Sequence, residues 1–240
     1  MRLDVFLVEN NYFKTRSKAQ QGIKDGIVYV NDKQITKTGF EVNDNDRVEI
    51  KGEVLKYVSR GGLKLEKALQ EWNIDLTDKI MIDIGSSTGG FSDVAIQNGI
   101  AKVYAIDVGT DQFDKELAKN PKIHLYEKTD FRNISNDIIK DATIATIDVS
   151  FISVTNIIQK ISELKNLKEI VCLIKPQFEC GMDIATKYKG VIKDENVRQD
   201  AIKKVVLAFE KIEYNNIGVC ESPIKGGDGN VEYLAYFTKG

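Results

Sequence analysis

The chain has 240 residues, 42% of them apolar, enough to bury one large core or two unequal ones. Its formal net charge of −2, with 29% charged residues, excludes the strongly basic body of a generic nucleic-acid coater, so any RNA contact has to come from local patches. Three scattered cysteines without C-x-x-C spacing argue against a disulfide framework or a zinc site, no metal is expected, and acids at Asp4 and Glu9 break any leader-type apolar run near the start; with no stretch of about 18 apolar residues, the expectation is a cytoplasmic protein off the membrane.

Residues 1–55 read as a small separate α+β module with its linker. Leu3, Phe6 and Leu7 fall at helical spacing, and Thr15-Arg16-Ser17 opens a second helix that carries Ala19 and Ile23 and stops at Gly26. Val28-Tyr29-Val30 and Arg47-Val48-Glu49-Ile50 then read as short strands separated by Asn and Asp turn residues. Lys14, Arg16, Lys18 and Lys24 succeed one another with no acid between them, which makes one end basic and a candidate phosphate-docking surface. The plainer alternative is a solvated helix face. The pattern R-L-D from Arg2, T-R-S-x-A-x-x-x-I from Thr15, Gly26, V-x-V-N from Val28 and the late V-x-I resembles the RNA-binding domain named for ribosomal protein S-four. That resemblance implies a module that docks a catalytic domain onto structured RNA.

Residues 51–65 are the connector and the entry to a second domain spanning 56–240. Lys51, Lys56, Arg60, Lys64 and Lys67 outnumber Glu53 and Glu66 there, which extends the positive surface and makes Arg60 a further candidate RNA contact. Leu65, Leu69 and Trp72 predict a helix packing on the rest of that domain, with Trp72 as core. Ile80 to Ile84 then reads as a buried strand, and Gly85-Ser86-Ser87-Thr88-Gly89-Gly90 turns it into a helix carrying Val94 and Ala95. The glycine spacing is not the G-x-G-x-x-G of a dinucleotide site, and Asp83, two residues before the first glycine, would repel a pyrophosphate but suits a cationic, amino-acid-bearing ligand such as S-adenosylmethionine. An ordinary glycine-containing α/β turn is the alternative. Candidate cofactor residues in this stretch are Asp83, Gly85, Ser87, Gly89, Gly90 and Phe91.

A second buried strand, Lys102 to Ile106, ends in Asp107, placed to accept hydrogen bonds from ribose hydroxyls. A third, residues 123–128, leads to Asp130 and Phe131, which would flank an adenine, the carboxylate by hydrogen bonding and the ring by packing; the lone His124 is read as structural. Strands over 143–148 and 169–174 end in Asp148 and Lys175, which should converge at the carboxyl edge of an open sheet; a simple salt bridge between them is the alternative. An amphipathic helix comes next over about 196–212, with Val197, Ala201, Val205 and Ala208 on one face. A breaker-rich loop, 222–230, then precedes the last strand, 231–237, which begins near Glu232. The fold class is α/β: a doubly wound, mostly parallel, Rossmann-like sheet, with the small α+β domain in front.

Taken end to end, YVSRGGLKL from Tyr57, DIGSSTGGF from Asp83, IDVSFIS from Ile147, IKPQFE from Ile174 and GNVEYL from Gly229 resemble the TlyA family of ribosomal RNA 2'-O-ribose methyltransferases, some of which carry a haemolysin label. The catalytic half resembles FtsJ-like methyltransferases, whose Lys-Asp-Lys-Glu tetrad would fall on Lys64, Asp148, Lys175 and Glu232. The resemblance implies S-adenosylmethionine as cofactor, ribosomal RNA or ribosomal subunits as partner, and cytidine as target. Ser87 departs from the broader pattern, where a middle glycine is common. Two other classes stand beside this one: a non-catalytic RNA-binding or ribosome-assembly factor, and a membrane-active haemolysin, against which the lack of any spanning segment counts.

Overall fold

The computed structural model describes residues 1–13, 15–43, 45–52 and 55–240, with the side chain of residue 17 outside that description. The chain divides into two compact units, Met1–Val58 and Ser59–Gly240.

In the first unit, α1 (Leu3–Glu9) and α2 (Arg16–Lys24) precede β1 (Val28–Val30), β2 (Lys33–Gln34) and β3 (Val48–Ile50). Helix α2 starts where Thr15 Oγ1 accepts the Lys18 N–H at 3.3 Å, the capping role that its sequence position implies. Leu3, Leu7, Ala19 and Ile23 from the helices close one core with Val28, Val30 and Val48 from a sheet of order β2-β1-β3. Strand β2 has no apolar signal because both its residues are exposed; left-handed Asn31 and Asp32, at φ 50° and 62°, fold it back on β1.

Asp4 is wholly buried in this unit. It accepts two hydrogen bonds from Arg2 (3.0 and 3.1 Å), one from Arg16 (2.8 Å) and one from Gln20 (2.6 Å). The Arg2 guanidinium, followed by Gln20 and Arg16, holds its carboxyl well below the usual carboxylate range against the opposing effect of burial. Hydrogen bonds to a charged group each contribute about 1.5–3 kcal/mol, so Asp4→Ala is expected to destabilise the first unit by roughly 2–4 kcal/mol. Hydrogen exchange should show lost protection within residues 1–58 and unchanged protection within 59–240.

The second unit contains α3 (Gly62–Glu71), β4 (Ile80–Ile84), α4 (Gly90–Gln97), β5 (Lys102–Ile106), β6 (Ile123–Tyr126), α5 (Asn136–Ile139), β7 (Ile144–Ile147), α6 (Ile158–Ser162), β8 (Glu169–Ile174), α7 (Pro176–Glu179), α8 (Met182–Lys187), α9 (Glu195–Glu210), β9 (Asn215–Glu221) and β10 (Tyr233–Thr238). Among the described residues the sheet order is β6-β5-β4-β7-β8-β10-β9. The first five strands are parallel, and β10 runs antiparallel to both β8 and β9. This is the doubly wound α/β architecture that the apolar runs imply. The chain winds outward through β4, β5 and β6, then restarts on the other side with β7 and β8, so the switch in strand order falls between β4 and β7. Ligand crevices open at that point, outside the carboxyl ends of the strands.

Several details differ from the sequence reading. Strand β6 ends at Tyr126 because the chain turns at Lys128, φ 52°. Helix α9 starts earlier, capped by Asp194, and buries Phe209 with Ala201 and Val205, leaving Ala208 half-buried. Strand β10 begins one residue after Glu232. Trp72 is a half-buried residue at the end of α3, its ring stacked on Tyr236 at 5.7 Å, and His124 lies exposed on β6 beside Tyr104. No helix among the described residues is long and apolar enough to cross a membrane.

Candidate active site

The polar cluster at the switch point is built from four separate parts of the chain. Lys64 projects from the first turn of α3, Asp148 stands one residue beyond β7, Lys175 one residue beyond β8, and Glu232 one residue before β10. Because β10 is antiparallel to β8, with Tyr233 opposite Ile174, the start of one strand meets the end of the other and sets Glu232 and Lys175 on the same sheet edge. Lys64 Nζ donates to Glu232 Oε2 at 2.8 Å and lies 3.5 Å from Asp148 Oδ2. Lys175 Nζ lies 2.6 Å from Asp148 Oδ1 and donates to Ser150 Oγ at 2.7 Å. Asp148 therefore joins two lysines, and the lysines and acids form one network in which Lys64, Lys175 and Glu232 are buried. The simple Asp148–Lys175 pair read as the alternative is present, but as part of this larger set.

Two cavities meet at Asp148, Gly85 and Ser87. The larger, about 360 Å³, is walled by Ile106, Val108, Phe131 and Ile157, with Asp107, Asp130 and the loop 148–152 at its border. The smaller, about 220 Å³, runs along the turn after β4, past Ser59, Gly61, Asp83, Ser86, Gly90 and Phe91. Gly85 has φ +82°, and a Cβ there would lie 2.5 Å from the carbonyl oxygen of Asp148, so the turn can only be made by a residue without a side chain. Ser87 also has left-handed backbone, φ 47°, at the place where the broader pattern has glycine. Its N–H is held by Asp107 Oδ2 at 2.7 Å, which offsets part of the strain.

The acids around these cavities take different places. Asp107 accepts from the N–H groups of Ser87 and Gly109, both at 2.7 Å, and borders the larger cavity. Asp130 is engaged by its neighbour Arg132, whose Nε lies 3.0 Å away, so the carboxylate expected to meet an adenine already carries a guanidinium; Phe131 is buried in the cavity wall beside it. Asp83 is wholly buried behind the turn and accepts from Ser92 Oγ (2.6 Å) and Thr146 Oγ1 (3.0 Å).

Burial pushes the Asp83 carboxyl up to about 6, and the charge of Asp148 adds to the rise against the two hydroxyls. A folded-state value above the unfolded one means that the native protein holds this proton more tightly. Stability from this group is then fully present below about pH 4 and falls as pH rises to about 6, by roughly 3 kcal/mol at most. Asp83→Asn should remove that decline, seen as a smaller stability difference between pH 4.5 and 7 than in the wild type in urea unfolding.

The fit to S-adenosylmethionine rests on what the protein leaves unfilled. Ser86 Oγ is buried on the smaller cavity with no hydrogen-bond partner among the described residues, and the glycine turn holds main chain open beside it. The larger cavity pairs an apolar slot with a carboxylate at its edge, which suits a nucleoside. No group of His, Cys, Asp and Glu among the described residues could hold a metal ion.

Of the candidate RNA contacts, Arg16 is exposed with its Nε on Asp4, Lys18 lies on the first turn of α2, and Arg60 is exposed just before α3; Lys14 lies outside the described residues. The sequence reading did not single out Ser150, Val149, Ile152 or the 88% exposed Phe151, all at the larger cavity. The only signal for them was their place in the IDVSFIS motif.

Comparison with known proteins matches residues 57–239 to the model of the FtsJ-like methyltransferase family and residues 1–48 to the S4 domain. The chain is 37% identical over 263 residues to the 23S rRNA (cytidine-2'-O)-methyltransferase TlyA of Campylobacter jejuni, covering 100% of both. It is 40% identical to Hemolysin A of Brachyspira hyodysenteriae, over 99% of each. Among solved structures, a chain described as a hemolysin from Streptococcus thermophilus is 37% identical with a TM-score of 0.75, covering 100% of this chain and 88% of that one.

Proposed function

Because this chain belongs to the FtsJ-like methyltransferase family, with an S4 domain ahead of the catalytic one, we propose that it methylates the 2'-hydroxyl of a cytidine ribose in bacterial ribosomal RNA, using S-adenosylmethionine, in the cytoplasm. The observation that carries the reading is the position of Asp148, shared by the two cavities and by both lysines. A methyl donor in those cavities would lie beside the group that handles the proton of the acceptor.

The work divides among the residues by their place around the cavities. Gly85, Ser87, Gly89, Gly90 and Phe91 with Ser86 shape the turn that holds the cofactor; Asp107 meets its ribose, Phe131 and Asp130 border its base, and Asp83 supplies negative charge behind the turn. When bound, S-adenosylmethionine supplies a methyl group on a sulfonium, whose C–S electron pair leaves with sulfur as the ribose oxygen forms the new O–C bond. Lys175 holds the acceptor hydroxyl and takes up or shares its proton, which makes orientation the chief catalytic contribution. Asp148 sets the place of Lys175, and Glu232 sets that of Lys64. Lys14, Arg16 and Lys18 of the S4 domain, with Arg60, contact RNA phosphates.

The test is transfer of labelled methyl to ribosomal RNA lacking the modification, followed by mass-spectrometric mapping of the product. One new 2'-O-methylcytidine per RNA is expected. Tight RNA binding without transfer would replace this reading with that of a ribosome-assembly factor.

A further inference from the structure

Lys175 has a partner outside the tetrad. Its Nζ donates to Ser150 Oγ at 2.7 Å while lying 2.6 Å from Asp148 Oδ1. Both partners come from one loop, two residues apart, so the end of β7 addresses this nitrogen twice. A lysine nitrogen is tetrahedral, bonded to Cε with three further positions. The Asp148 Oδ1 contact is an ion pair without hydrogen-bond geometry, Oδ1 having no hydrogen-bond partner among the described residues, so it attracts the nitrogen by charge without fixing any of these positions; Asp148 is also engaged by Lys64 at 3.5 Å. Ser150, as hydrogen-bond acceptor, fixes one position, and two remain. In a neutral amine one of these holds the lone pair, the part that accepts a proton; in an ammonium both hold N–H groups, the part that steadies negative charge on oxygen.

The loop that carries Ser150 is held at both ends. At its start the Asp148 N–H bonds to the Ile84 carbonyl at 2.9 Å. At its far end the buried Glu179 accepts the Val154 N–H at 2.7 Å and the Ser153 hydroxyl, and Lys204 lies 3.3 Å from the same carboxylate. Between these anchors, Phe151 has φ +66°, an unfavourable conformation for a bulky residue that persists only where its surroundings impose it. Its ring lies 5.3 Å from that of Phe178, which is itself 6.0 Å from Lys175 Nζ.

We propose that Ser150 is a positioning residue for methyl transfer: it accepts the directional bond that fixes one position on Lys175 Nζ while Asp148 holds the same nitrogen by charge, so that the remaining positions are presented to the acceptor hydroxyl. The inference rests on the function proposed above and adds a residue to the machinery of that site. Ser150 acts through Lys175 in this role, and because it also lies at the larger cavity the cofactor Kd is the control that separates positioning from binding.

The experiment compares wild type, Ser150→Ala and Ser150→Thr in methyl transfer to ribosomal RNA at saturating substrates, with cofactor affinity measured by calorimetry. Ser150 is exposed, so neither variant should disturb folding. Loss of one orienting contact is expected to lower kcat of Ser150→Ala by roughly ten- to hundredfold while the cofactor Kd stays within about threefold. Ser150→Thr, which keeps the hydroxyl, should retain at least about a third of the wild-type kcat. The inference is overturned by Ser150→Ala turning over within about twofold of wild type, by a loss of cofactor affinity that accounts for the rate, or by Ser150→Thr falling as far as Ser150→Ala. A wild-type protein that transfers no methyl group overturns the proposed function as well, whereas an active wild type with an unaffected Ser150→Ala variant overturns this inference alone.

Discussion

Lys175→Met is expected to reduce methyl transfer by about a thousandfold or more, the scale of losing a positioned proton acceptor together with the charge that stabilises an oxyanion. Methionine is chosen because it keeps most of the apolar stem while removing the nitrogen, which lies 6.0 Å from the centre of the Phe178 ring. The network makes this a clean test. When Lys175 is removed, Asp148 keeps Lys64 3.5 Å from Oδ2, so the carboxylate retains one ammonium although its buried Oδ1 loses the other. The reciprocal change is less clean, because Lys64→Met leaves the buried Glu232 without the ammonium now 2.8 Å from it, and breaking a buried pair from one side costs roughly 3–5 kcal/mol. Lys175→Met should therefore keep its thermal midpoint and bind cofactor and RNA within about threefold of wild type while turnover disappears. Turnover near the wild-type rate would remove Lys175 from the reaction.

Gly85→Ala is expected to abolish cofactor binding and to lower stability at the same time. An alanine at φ +82° meets a strain of about 1–2 kcal/mol, and its Cβ would stand 2.5 Å from the Asp148 carbonyl oxygen and 2.9 Å from the carbonyl carbon. Those atoms are backbone and cannot swing aside, so relief has to come from shifting the end of β7 away from β4. That movement would open the switch point on which both cavities depend. A loss of about 2–4 kcal/mol is expected, or roughly 5–15 °C in thermal midpoint for a unit of this size. Differential scanning calorimetry with and without S-adenosylmethionine checks both parts: a lower midpoint, and no upward shift on adding the ligand.

Most of the parallel half of the fold was legible because its strands are buried on both faces and read as largely apolar runs: Ile80 to Ile84, Lys102 to Ile106, Ile144 to Ile147 and Glu169 to Ile174. Polar residues directly after such runs were equally readable, since a strand that ends at a crevice exposes its next residue there; this is how Asp107, Asp148 and Lys175 were found. Strand β9 was not readable. Its sequence, Asn215 to Glu221, mixes exposed and half-buried positions and contains no fully buried residue, because it is an edge held by pairing with β10. Helix α8 likewise buries none of its residues and gives no amphipathic signal. Within the site, the bond from Lys175 to Ser150 joins residues 25 apart, and no local spacing announces it. The Asp130–Arg132 pair is the opposite case, a contact two residues apart that a reading focused on adenine passed over. Asp83 was identified as chemically significant, but its enclosure by Ser92 and Thr146 depends on how α4 and β7 pack over it.

The strand order β8-β10-β9 has a consequence for how the molecule is born. On a translating ribosome β9 emerges before β10, yet it has no place beside β8 until β10 has slid between them. Until synthesis passes residue 238 the wedge is incomplete, and until β10 is seated beside β8 Glu232, at its start, is not held where Lys64 meets it. The same late segment thus completes the scaffold and arms it, so a truncated product released early would be inert as well as misassembled.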